Sequence, residues 1–263
     1  MNKEELLSKA KDPKYIPGIY NYCDRWCERC RFTSRCLNCE LAEEQFGDLE
    51  SVDISNEKFW EKFSEVMQLT MDMIKASAEE MGIDLDAIQV DESLEIDPPV
   101  PDLVEHLSKK YASTVNAWFE ENQHITMEAN QPDSLSLVSQ QNDVDELVVK
   151  IEDAVEIIQW YQYFIHVKLS RACDSFGDDT ADDGFPKDSD GSAKIALIGI
   201  DRSIAAWKIL LPRVAPDDMQ TIHLIEILEN LKLRVEKRFP DARAFVRPGF
   251  DEPLGNRSRV PGS

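Results

Sequence analysis

Apolar positions along this 263-residue chain recur at three- and four-residue intervals in five long stretches, the period of an amphipathic helix. From Ser55 to Met81, Phe59, Phe63, Val66, Met67, Thr70, Met73, Ile74 and Ala78 keep that spacing, and Gly82 supplies a stop. The pattern predicts a helix whose methionines fill core. Asp102 with Glu105 makes a capping-box start for a second helix to about Asn122, with Val104, Leu107, Tyr111, Val115 and Trp118 on its apolar face.

The third stretch, Asp143 to Ala172, is apolar nearly all round over its second half, as expected of a central helix; Glu156, Gln159, Gln162 and His166 interrupt it. A fourth, Ala193 to Leu211, carries Asp201 among apolar neighbours and is expected to end before Pro212. The fifth starts at Asp217 and Asp218 and runs to Phe239, with Ile222, Ile225, Leu228, Leu231 and Val235 facing inward and Pro240 as terminator. Residues 82–101, 125–141 and 173–192 read as polar or acidic connections. No alternating strand pattern extends beyond a few residues. The fold class expected is all-α, an antiparallel bundle of four to five long helices preceded by a Cys-rich metal-binding segment. Its parts are residues 1–50 for that segment, 51–240 for the bundle and 241–263 for an irregular tail.

The Cys-rich segment changes the picture most. Cys23, Cys27, Cys30, Cys36 and Cys39, five of the six cysteines, follow the spacing C-x3-C-x2-C-x5-C-x2-C behind an aromatic turn containing Pro17-Gly18. Four thiolates this close converge on one metal centre without help from distant chain. Cys23, Cys27 and Cys30 fit one helical face. Two C-x2-C pairs suit Zn2+; the short gap between them suits an iron-sulfur cluster of the 4Fe-4S type instead. The spacing of the first three cysteines coincides with that of radical-SAM enzymes. Arg29 stands where that family favours an aromatic, however, and its strand-helix alternation is missing, so the chain is not placed there. Arg25, Arg29, Arg31 and Arg35 all lie in this segment, where positive charge would lower thiolate pKa values.

Charge narrows the partners. Twenty-nine basic against 51 acidic residues give a formal charge of -22, which disfavours general nucleic-acid binding and anionic membranes. No apolar run reaches the ~20 residues of a spanning helix and no signal-peptide core opens the chain, so a cytoplasmic location is expected. There, clustered cysteines point to metal or redox chemistry rather than disulfides.

Glu156, His166 and Asp201 are the candidate internal catalytic or ligand residues, because each interrupts an apolar helix and buried charges seek one another. Glu121 with His124 and His223 with Glu226 match metal-ligand spacings on helices but fall on polar faces. Two functions follow. One is a metal-binding helical protein whose cysteine site orders a docking surface of Tyr20, Trp26, Phe32 and the four arginines for a protein partner; the other is an iron-sulfur redox or catalytic protein using the internal polar residues. No feature sets an oligomeric state.

Overall fold

The computed structural model describes residues 3–87, 102–125, 142–176, 187–214 and 218–251. Among them every regular element is helical. The α-helices are α1 (Lys3–Ala10), α2 (Leu37–Phe46), α3 (Leu49–Val52), α4 (Glu57–Glu80), α5 (Leu103–Glu121), α6 (Asn142–Ser175), α7 (Asp188–Val214) and α8 (Met219–Arg238). The chain forms two compact units, Met1–Pro99 with Pro248–Ser263, and Val100–Arg247. Thus α5 to α8 make a bundle of their own, and α4 belongs with the cysteine segment.

In the bundle, α5 packs against α6 and α8, and α7 against α6 and α8. Pairings across each interface run in opposite senses. Ser108 meets His166 while Asn116 meets Gln162; Arg171 meets Asp188 while Tyr161 meets Arg202. Asp102 meets Arg238 while Trp118 meets Thr221, and Asp201 meets Lys232 while Lys208 meets Glu229. All four helices are therefore antiparallel to their neighbours. The core holds Trp118 and Trp207 edge to face at 4.8 Å. The Trp207 Nε1–H donates to the Tyr111 hydroxyl at 3.0 Å and the Trp118 Nε1–H to Thr221 Oγ1 at 3.0 Å, so both buried indoles are satisfied. Gly199 lets α6 and α7 approach closely: a Cβ there would stand 2.9 Å from Tyr161 Cδ1 and 3.2 Å from Ile165 Cγ1.

The helix starts follow local chemistry. Asp102 and Glu105 make the expected reciprocal capping box on α5, and the Asp218 carboxylate accepts Thr221 N–H at 2.7 Å to cap α8. Helix α7 departs from expectation at both ends. It begins at Asp188, whose carboxylate receives a bidentate Arg171 at 2.8 and 2.7 Å, and it continues through Pro212 to Val214. A proline in the last turn removes one amide but leaves little helix beyond it to break.

In the first unit, α4 starts on an Asn56 cap and ends at Gly82, φ +69°, where Gly82 N–H bonds Glu79 O and Ile83 N–H bonds Ala78 O, a Schellman stop. Phe59, Val66, Leu69 and Met73 are half-buried, and the last three share a groove with Leu6, Leu41 and Phe46 of α1 and α2. The opposite face is bare. Trp60, Phe63, Met67, Met71 and Ile74 are exposed, so most methionines of this helix do not fill core as expected. Helices α2 and α3 are short and stand against one side of α4 only.

Candidate metal centre

The cysteine stretch is not the short helix that an i, i+4, i+7 spacing suggests. Its path is a chain of turns: Pro17-Gly18 with Gly18 at φ +71°, a bend at Arg25 with φ +59°, and 3-10 turns at Cys27–Arg29 and Thr33–Arg35. Arginine in the left-handed region is strained, and Asp24 stabilises the bend by accepting Trp26 N–H at 3.3 Å across it. Cys36 is the N-cap residue of α2 and Cys39 sits in that helix's first turn. Ile16 N–H bonds Arg35 O at 3.0 Å, and Lys14 and Lys9 reach Glu40 at 2.6 and 3.4 Å, fastening this turn to the preceding chain. The hydrogen bonds from Lys14, then Tyr15, hold the Glu40 carboxyl down at about 2.

These turns bring all five cysteines to the wall of one cavity of about 20 Å³, with Ile19, Trp26, Phe32 and Phe250 as its apolar lining. Each cysteine is half-buried and free of disulfide. Phe32 N–H points at Cys30 Sγ at 3.4 Å, and the Arg25 backbone donates toward Cys23, two amides aimed at sulfur. Cys23 Sγ itself donates to Tyr20 O at 3.5 Å. Burial pushes the Cys27 thiol up to about 12, with the neighbouring Cys39 adding to the effect. Burial likewise raises Cys23 and Cys39.

The expected arginine effect is therefore outweighed. Arg25 does pull Cys23 downward, but less than burial raises it. Arg29 instead lies over the Trp26 ring at 4.1 Å and Arg31 over Phe32 at 4.7 Å, while Arg35 Nε–H donates to Lys14 O at 3.3 Å. Trp26, expected on a docking surface, is 5% exposed and belongs to the cavity wall. Among the described residues, no group of three or more His, Cys, Asp or Glu side chains stands arranged to hold a metal ion.

The C-terminal stretch supplies residues that the sequence pattern did not single out. Gly249, at φ +74°, lies against Ile16 and Ile19, and the Phe250 ring meets Phe32 edge-on at 5.0 Å. Pro248-Gly249 repeats the Pro17-Gly18 turn signal, the one cue that this tail is built rather than loose.

The internal candidates go to separate neighbours. Glu156 is exposed, against expectation, and stands about 15 Å from His166 along α6 at 1.5 Å per residue. His166 Nδ1 is 2.9 Å from the buried Ser108 hydroxyl of α5. Asp201 is held by Lys232 and Arg243, each at 2.7 Å, on the rim of α7 and α8. Burial pushes its carboxyl upward, but the hydrogen bonds from Arg243 and Lys232 outweigh that and leave it lowered. The structure does not bring the three into one site. Glu121, His124, His223 and Glu226 are exposed, as their polar faces suggested. No described helix is long and apolar enough to cross a membrane. Comparison with protein-family models, with curated proteins and with solved structures finds no match for this chain.

Proposed function

We propose that the chain is a metal-binding helical protein whose cysteine segment takes one Zn2+ and is thereby ordered as a docking surface for a protein partner. The observation that carries this reading is the convergence of Cys23, Cys27, Cys30, Cys36 and Cys39, from separate turns and a helix start, on one cavity. A thiolate is the form that binds metal, and burying several thiolates together is costly without a cation among them. With no cation among them, the thiols of Cys23, Cys27 and Cys39 hold their protons, which burial favours. Loading releases those protons and turns sulfurs inward, so affinity rises with pH. The two amides aimed at Cys23 and Cys30 supply the outer hydrogen bonds that metal thiolates use.

Two C-x2-C pairs, Cys27 with Cys30 and Cys36 with Cys39, are the usual zinc arrangement. Zinc also keeps one oxidation state, which suits an ordering role. The partner surface consists of half-buried Tyr20 and Phe32 with exposed Arg25, Arg29 and Arg31, an unusual basic patch on an acidic chain.

Metal content and absorption of protein purified without oxygen test the reading. One zinc per chain in a colourless protein, lost in Cys27→Ser and retained in Cys173→Ser, is the expected result. A brown protein carrying iron and sulfide would replace it with the iron-sulfur alternative. A protein without metal, or one whose metal survives Cys27→Ser, would sink both.

A further inference from the structure

Helix α4 has an apolar face that the described residues of its own unit leave largely open, Ala78 alone being buried on it. Trp60, Met67, Ile74 and Met81 follow one another at intervals of seven residues, with Phe63 and Met71 beside them. All six are exposed, Trp60 at 56% and Met81 at 67%. At 1.5 Å per residue the stripe is about 32 Å long, six turns of helix. Its first turn is already shaped: the Trp60 Nε1–H donates to Ile54 O at 2.9 Å and its ring meets Phe63 edge-on. Three of the six residues are methionines, whose flexible and polarizable side chains suit a surface that accepts another helix.

The charges beside the stripe indicate what it accepts. Placing residues 100° apart around the helix, Glu57, Glu61 and Glu79 flank one edge, with Lys75 the single base among them. The opposite edge carries Thr70 and Ser77 and is neutral. Lys58 and Lys62 lie toward the packed side, where they are committed to Asp48 and Glu65 at 3.1 Å each. An apolar groove-filler with acidic partners would be repelled along the edge, and more weakly by the whole chain at -22. An antiparallel second copy of α4 meets the same difficulty, because acidic edge would face acidic edge.

We propose that the exposed face of α4 binds an amphipathic helix of another protein, one whose apolar side is flanked by lysine or arginine. The recognition is of the helix-in-groove kind, with apolar anchors at heptad spacing and ion pairs at one edge. It is independent of the cysteine cavity, whose residues contribute nothing to this face.

The test uses the full chain and a synthetic amphipathic Leu/Lys helix peptide of about five turns, with its Leu/Glu counterpart as control, followed by calorimetry and by light scattering of the protein alone. The Leu/Lys peptide is expected to bind one to one, and the Leu/Glu peptide not at all. Met67→Asn and Ile74→Asn should each weaken binding about tenfold, while Leu233→Asn, at a still more exposed apolar residue on α8, leaves it unchanged. Higher salt should weaken it further. Absence of binding by the unaltered chain, or equal binding by all variants, overturns the proposal and reduces the effect to net charge. A dimer that Met67→Asn converts to monomer overturns it in favour of a second copy.

Discussion

Helices α4 and α7 are both long and both apolar on more than half their circumference, yet one is half bare and the other is the centre of a core. Trp207 on α7 is fully buried between Tyr111 and Trp118, whereas Trp60 on α4 is 56% exposed. The difference lies in company. Three long helices stand around α7's neighbourhood, and α4 has only short ones on one side. An apolar face in a sequence therefore states a demand for burial without saying who meets it.

The contrast is sharpest at the two tryptophans. Trp207→Ala should destabilise the bundle by about 3–5 kcal/mol, because it removes a buried ring and the indole N–H that the Tyr111 hydroxyl accepts. Trp60→Ala should stay within about 0.5 kcal/mol of the unaltered chain, since the ring already meets water. Denaturant titrations of the two variants measure both, and a large loss at Trp60 would show that α4 has found a cover. Gly199→Val comes next, at about 1–3 kcal/mol, because the added carbons must push Tyr161 and Ile165 away from α7. His166→Ala should cost about 1 kcal/mol, as it removes one hydrogen bond while Ser108 keeps its other, to Glu105 O.

A further small effect belongs to the rim of the bundle. Asp201 is lowered by its partners, so its contribution is present above the unfolded carboxyl value near 3.9 and disappears as pH falls through the still lower folded value. The pair is well exposed and screened, so Asp201→Asn should lose under about 1 kcal/mol at pH 7. As pH falls below the unfolded value, the deficit should shrink toward nothing, because the unaltered carboxyl is also becoming protonated. Melting curves across that range would show a constant deficit instead if the loss came from packing.

Much of the bundle was legible because its signals are local. The Asp102–Glu105 box, the Asp218 cap and the Gly82 stop are decided by residues within a turn of one another. The start of α7 was not, because Asp188 is drawn into helix by Arg171 from another element. Glu156 and Asp201 looked internal for the same reason: an apolar neighbourhood in sequence fixes the helix but not the azimuth of one side chain on a rim. At the cysteines, spacing disclosed the cluster, yet the left-handed Arg25 and the turns around it replaced the helix that spacing allowed. Phe250 was invisible, since nothing in the tail's composition names its target.

That ring lines the cysteine cavity although it follows Cys39 by 211 positions, with all four bundle helices synthesised in between. A ribosome working from the N-terminus releases the cysteines before the bundle and Phe250 after it. The bundle, whose contacts are complete by Arg247, has everything it needs earlier. Each molecule thus passes through a stage in which a finished helical body is bracketed by an unfinished thiol pocket. During that stage the sulfurs stand in a pocket whose wall still lacks the Phe250 ring.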